Sequence, residues 1–449
     1  MAEGPVDPPS EDESAVVQTS EGETGVVQGV QRTYATIANA IDAGEDSVTL
    51  IGNLQEDVVI DEGEKLTLNL GGFVLSEASS HTISNKGTLV IEGTGTVKNT
   101  IASVGALANY PSGEVTLNGG TFENTGWYTI KNLGTMTINE GVDVKTTDAG
   151  SSLIDTGWYG NTGNDLGLDY TQADTVTLTI NGGTFTGGMN TIKNDDYGVL
   201  LIKDGTFQNE QGAVVLNWNE ATIEGGSFTG NAGSSPVIAN SYINNTADKG
   251  QLTITGGTFT APEDSALFGF AEGNKPGGTT AIEGGKFYGT IGSGFPYELD
   301  ITGGTYDDVN GVEAYLPDGY TTDESGQVGP TTDPGEDSVA SVTKDGVTQY
   351  FETLSGAIAT AGDGDTVTLM TSTDLTVPVT IDNYITFNLG GNTLTLKRNT
   401  NSTSDLGLDF TSKGDSVLRN GTIIDDRSKG NRNCGFIAVR LTGDGTLTT

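Results

Sequence analysis

The chain has 449 residues, of which 34% are hydrophobic and 67 are Gly, too lean for large three-dimensional cores but suited to thin stacked layers of small side chains. Its 20 basic and 60 acidic residues give a net charge of −40, which repels nucleic acid, anionic lipid and acidic polysaccharide. The single cysteine, Cys434, excludes an internal disulfide framework and a thiolate metal cluster.

Residues 1–30 carry no Lys or Arg and lack the basic and apolar regions of a signal peptide, so a disordered acidic leader is expected there. No apolar run is long enough to span a bilayer. Next, Tyr34, Ile37, Ala40 and Ile41 fall at helical spacing, which predicts a short amphipathic helix. Such a helix can cover the open end of a stack of strands and block edge-to-edge pairing.

From there the chain repeats. "TISNKGTLVIEG", "LANYPSGEVTLNGGTF" and "TIKNLGTMTINEG" align on Asn85, Asn109 and Asn132, and "LIDTGWYG" follows with Asp155 in that place. Asn194, Asn217 and Asn240 continue the series, and Gly269 and Gly292 are taken to extend it. A unit of about 23 residues with short alternating strands and no helical period fits one turn of a β-solenoid, its rungs ~4.8 Å apart. In "TMTI", Met136 and Ile138 are expected inside and Thr135 and Thr137 outside. Phe122, Phe185, Phe207, Phe228, Phe259 and Phe287 are expected to stack as an internal ladder ended by Tyr306, while the asparagines form an amide ladder.

The large interruptions of this period all follow the ladder position, on one edge of the solenoid. The longest is "TGWYGNTGNDLGLDYTQAD" at 156–174. The edge gathers aromatic residues, and insertions on one face of a repeat protein often mark a binding face. Trp158, Tyr159, Tyr170, Tyr197, Trp218 and Tyr242 are the candidate ligand-binding residues. Rings beside Asn, Asp and Glu suit sugars, whose apolar faces stack while their hydroxyls hydrogen-bond, and they also suit protein epitopes. The bland alternative is that the loops cover the edge and shield the ladder. Trp127 and Tyr128 fall at the opposite end of their strand and are assigned to another patch.

Chemistry has thinner support. Asp195 and Asp196 in "IKNDDYG" are the candidate catalytic pair, though adjacent acids are expected by chance among 60. His81, the only histidine, reads as a turn residue. Asp165 and Asp169 in "DLGLDY" are the candidate ligands of a Ca²⁺ ion, which needs six to eight oxygens where only a few can be named. The bland reading of that segment is that Leu166 and Leu168 anchor a long loop. No other cofactor is expected.

After a first β-helix unit at 31–317, residues 318–338 read as an acidic linker, and 339–449 as a second unit without a terminal cap. Residues 350–391 repeat the plan of 34–72, again with a helix at Phe351, Leu354, Ala357 and Ile358. The shared opening, "VTLIGNLQEDVVIDEGEKLTLNLGG" against "VTLMTSTDLTVPVTIDNYITFNLGG", followed by "GGTF" rungs, resembles the pectin-lyase-like superfamily of right-handed parallel β-helices. More narrowly, it looks like the repetitive surface proteins of Gram-positive gut bacteria. The resemblance implies an all-β fold of two tandem β-solenoids, each with a short N-terminal capping helix. It further implies an extracellular, cell-surface stalk or adhesin, non-catalytic and without membrane insertion, that binds host or dietary glycans or surface proteins. The alternative on the same fold is a polysaccharide-degrading glycoside hydrolase or a tailspike-like depolymerase. The Gly-His-Gly of the polygalacturonases is missing around His81.

Overall fold

The computed structural model describes residues 26–30, 32–147, 150–159, 164–169, 173–231, 233, 235–241, 250–270, 277–295, 297–397, 404–426 and 435–449. They form two compact units, 1–281 with 285–299 and 282–284 with 300–449. The architecture is all-β: three long sheets of 13, 11 and 9 strands, parallel along almost their whole length, carry the first solenoid. Each turn supplies one strand to each sheet. Thus Ile130–Asn132 lies in the third sheet, Thr135–Ile138 in the first and Val142–Thr146 in the second.

Alternation sets what each strand buries. Met136 and Ile138 are core residues, while Thr135 and Thr137 face outward and pair with Thr177 and Thr179 one rung on. Phe185, Phe207, Phe228, Phe259 and Phe287 stack with ring centroids 4.7, 4.7, 4.7 and 5.0 Å apart, the spacing of the rungs themselves. Phe122 is buried but separate, because Val144 occupies the rung between it and Phe185. The paired glycines divide their work. A Cβ at Gly225 would meet the Lys203 carbonyl at 2.3 Å, whereas Gly226 holds φ at 102°, where a side chain is strained.

The amide ladder forms as the repeat implies. Asn85 Nδ2 donates to Asn109 Oδ1, Asn109 to Asn132, Asn194 to Asn217 and Asn217 to Asn240, at 2.8–2.9 Å. Two expectations about it are corrected. Thr156, and not Asp155, takes the ladder place: Asn132 pairs with Thr156 and donates to its Oγ1 at 3.0 Å, while Asp155 pairs with Lys131. Gly269 pairs with Ala239, one residue short of the ladder, and Gly292 lies outside the third sheet's strands. Asn240 donates instead to Thr280 Oγ1 at 2.9 Å. A second ladder, Asn118–Asn139–Asn181, runs along an exposed bend.

Both units open alike. In the first, Val27–Gln28 pairs antiparallel with Thr33–Tyr34 and Ser47–Leu50, and helix α1 (Ile37–Asp42) buries Ile37 and Ala40. In the second, Ala340–Lys344 pairs antiparallel with Val347–Phe351 and Thr366–Leu369, and helix α2 (Leu354–Thr360) buries Leu354, Ala357 and Ile358. Within 318–338, Tyr320–Thr322 and Val328–Pro330 form an antiparallel hairpin.

Candidate functional site

The middle residue of each three-residue strand in the third sheet points away from the solenoid core. Such positions ordinarily meet water, yet Lys131, Asp155, Lys193, Leu216 and Ala239 form a buried column. The strand register sets them side by side in that order.

The cover comes from chain just beyond the strands. Gly157 holds φ at 100° and passes so close to the Asp195 carbonyl that a Cβ would stand 2.8 Å from it. Trp158 then donates its backbone N–H to the Asp196 carbonyl at 2.8 Å and drops its ring against Leu133 and Val176. Leu166, Leu168 and Ala173 pack on the same cluster, so these residues do anchor the long loop. Tyr159 follows, half exposed, and stacks on Trp218 with centroids 6.4 Å apart. Lys193 Nζ sits 4.2 Å from the Tyr159 ring centroid and 4.5 Å from that of Trp218, a cation held against two π faces.

Beneath those rings lies a four-membered charge cluster. Lys131 Nζ contacts Asp155 Oδ1 and donates to the Gly157 carbonyl at 2.8 Å. Lys193 Nζ bridges Asp155 Oδ2 at 3.3 Å and Asp195 Oδ2 at 2.8 Å. Burial acts to raise the Asp155 pKa, but the charges of Lys131 and Lys193 outweigh it and hold the group below the usual carboxylate range. Asp195 goes the other way: burial first, then the neighbouring Asp155 charge, push it well above that range. Lys193, despite its burial, is held above the usual range by Asp195 and Asp155. Beyond the 3.3 Å Lys193 contact, Asp155 Oδ2 accepts no well-formed hydrogen bond, and Asp195 Oδ1 accepts none. The two carboxyls face each other, so one proton held between them satisfies both oxygens.

Above the cluster a cleft of about 780 Å³ opens along the sheet face. Tyr159, Trp218 and Phe270 stand on one side, and Tyr128, Asn190 and Gln211 on the other. Its floor exposes parts of Lys193, Leu216 and Ala239. Tyr128 therefore belongs to this site, correcting its assignment to a separate patch; the turns before the strands line the cleft as much as those after them.

The sequence-predicted residues separate by depth. Tyr159 is exposed in the cleft, and Tyr197, exposed too, holds a left-handed φ of 64°. Trp158 is 1% exposed and Trp218 6%, so neither is a free ring: one is an anchor and the other a wall whose face is taken by Tyr159 and Lys193. Tyr170 and Tyr242 lie outside the described residues. Asp195 and Asp196 are buried, where no polymer can reach them. Asp169 is exposed on a two-stranded hairpin and pairs with Asn164, while Asp165 pairs with Leu168. Among the described residues no cluster of three or more metal-ligating side chains occurs. His81 sits in a turn, its Nδ1 accepting from the Gly105 N–H at 2.9 Å and its ring against Trp127; burial lowers its pKa. The residues that sequence reading passed over are Lys131 and Lys193. Their signal was the recurrence of "TIKN" with a lysine at an outward position.

No family model matches this chain, and neither a curated protein nor a solved structure matches it.

Proposed function

We propose that the protein is a non-catalytic β-helix module, displayed at a cell surface, that holds uncharged glycan chains in the cleft over the third sheet. The observation that carries this reading is the ring array. Tyr159 presents an exposed face backed by Trp218 and Lys193, with Phe270 on the same side and the amides of Asn190 and Gln211 opposite. A sugar ring stacks on the aromatic face while the amides serve its hydroxyls. Kinship with the pectin-lyase-like superfamily, and with Gram-positive surface proteins in particular, belongs to this proposal.

The carboxyls of the floor give the hydrolase reading its one handle. Glycoside hydrolysis uses two carboxyls ~5–10 Å apart on either side of an exposed bond. Asp155 and Asp195 instead face each other in direct contact, both buried beneath Lys193. That arrangement favours binding over cleavage.

The test is retention on a panel of immobilised neutral oligosaccharides, mucin and matrix proteins, with Tyr159→Ala alongside. Tyr159 is half exposed, so its removal leaves the solenoid core intact. Retention on a neutral glycan, weakened about tenfold (~1.4 kcal/mol) in the variant, is expected. Retention only on a protein, or retention indifferent to Tyr159, contradicts the glycan reading.

A further inference from the structure

The cluster under the cleft has features that glycan binding does not use. Lys131 is completely buried, yet its amine is neither catalytic nor exposed to ligand. It contacts Asp155 Oδ1, and its hydrogen bond to the Gly157 carbonyl fixes the direction of the amine. The backbone register places Lys131 directly opposite Asp155 on adjacent rungs, which brings the amine into contact with the carboxyl. Asp195 faces the far oxygen of the same carboxyl, where Asp155 Oδ2 has the 3.3 Å contact with Lys193 and Asp195 Oδ1 has no hydrogen-bond partner. Water is excluded from all three groups.

We propose that Lys131 Nζ and Asp155 Cγ are joined by an amide bond, formed by the folded chain itself with Asp195 as the proton carrier. The site holds all that the reaction requires. The Lys131 ammonium passes a proton to Asp155 Oδ1, leaving a neutral amine beside a neutral carboxyl. The nitrogen lone pair attacks Cγ, and the C=O electron pair moves to Oδ2, which takes the proton of the Asp195 carboxyl. The Asp195 carboxylate then removes a proton from the nitrogen and returns it to one hydroxyl as the C–O bond breaks. Water leaves, the carbonyl re-forms, and Asp195 recovers its proton. One ammonium and one carboxylate become one amide and one water, with no oxidant, metal or cofactor.

The other lysine is the wrong nucleophile. Lys193 is shared between two carboxyls and lies 4.2 and 4.5 Å from two aromatic ring centroids, which favours its cation more than the Tyr128 ring, 5.6 Å away, favours that of Lys131. Burial pushes Asp195 towards its protonated form, as a proton carrier at this position requires. The link would close the chain from 131 to 155 across two rungs, directly before the long 156–174 insertion.

The experiment is a tryptic peptide map of the purified full chain, with its intact mass measured after denaturation. Trypsin acts after Lys98, Lys131, Lys145 and Lys193. If the amide is present, the intact mass lies one water below the sum of the residues. Cleavage after Lys131 is blocked, and segment 99–145 travels covalently joined to segment 146–193. In Asp195→Asn, the full mass and the free peptide 99–131 are expected. A wild-type map with free 99–131 overturns the proposal, including when one water is missing elsewhere in the chain. A link mapped to Lys193 overturns the choice of nucleophile, and a link that persists in Asp195→Asn overturns the role of Asp195. The wild-type map decides the existence of the bond even if the variant does not fold.

Discussion

Thr156 marks a break in the amide ladder. It accepts from Asn132, but nothing on that rung reaches up to Asn194, whose buried Oδ1 has no donor. An amide at 156 can do both, so Thr156→Asn is expected to stabilise the first solenoid by about 1 kcal/mol, read as a higher denaturant midpoint. In contrast, Asn109→Ala removes a side chain that accepts from Asn85 and donates to Asn132 and the Gly113 carbonyl. It leaves buried partners unsatisfied, and a loss of about 2–3 kcal/mol is expected in the same unfolding experiment. Stacked rungs do not always unfold as one unit, so midpoints for this solenoid should be compared by probes placed in it. At this scale the sequence was legible wherever the chemistry repeats locally: the asparagines, the outward threonines and the phenylalanine column are visible as strings. The position of Asp155 was not, because a 23-residue spacing tolerates a one-residue shift just before an insertion, and a one-residue shift turns a side chain from the core to the outer face.

The capping helices are held by acids from elsewhere in the chain. In α1, Thr36 accepts from the Asn39 N–H at 3.0 Å, and Glu56 accepts from Ile37 and Ala38 at 2.7 and 2.9 Å. In α2, Thr353 plays the part of Thr36, and Asp318 accepts from the N–H groups of Glu352 and Thr353. Burial, resisted by those backbone donors, raises the Glu56 pKa. The sign follows. Its contribution to stability is fully present below the unfolded-state pKa and declines as pH rises through the raised folded value. At neutral pH, Glu56→Gln removes the buried charge but keeps one acceptor oxygen for two N–H donors and turns its amide N–H toward the other, so a loss of about 1 kcal/mol is expected, whereas Glu56→Ala leaves both N–H groups bare and should lose about 1–2 kcal/mol. Thermal unfolding of both variants across acid and neutral pH separates the two effects. The second unit shows the opposite sign. There Asp409 pairs with Arg440 on the adjacent strand, whose hydrogen bonds hold the Asp409 pKa below its usual range. That contribution is present above the unfolded pKa, ~3.9, and is lost as pH falls through the folded value, so Asp409→Asn should destabilise at neutral pH and converge with wild type in acid. The helices could be read from their spacing, but the acids that cap them could not, since each stands far from its helix in sequence.

For the molecule as a whole, composition pointed to stacked rungs, and the structure is a parallel β-helix with few helices. The candidate site was legible only in part. Tyr159 and Trp218, after the ladder position, line the cleft, but so does Tyr128 from before its strand, and whether a ring faces water or the chain depends on how a loop folds back, which no local pattern encodes. Trp158 and Tyr159 are neighbours, yet one is an anchor and the other is exposed. The two lysines escaped notice for the same reason: an outward lysine is normally solvated, and only the covering loops make these buried. The net charge of −40 sets the terms of recognition. A uronate-rich chain should be retained less than a neutral one at low ionic strength, with the difference narrowing as salt shortens the Debye length from ~30 Å at 0.01 M to ~8 Å at 0.15 M.

The central claim is that the cleft beside Tyr159 binds sugar without cutting it. The most direct measurement is a titration of the best-retained oligosaccharide into the protein, following intrinsic tryptophan fluorescence and assaying the same mixture for new reducing ends. A saturable change that is lost in Tyr159→Ala, with no new reducing ends after prolonged incubation, is the expected result. New reducing ends, or a binding curve unchanged by the loss of Tyr159, would contradict it.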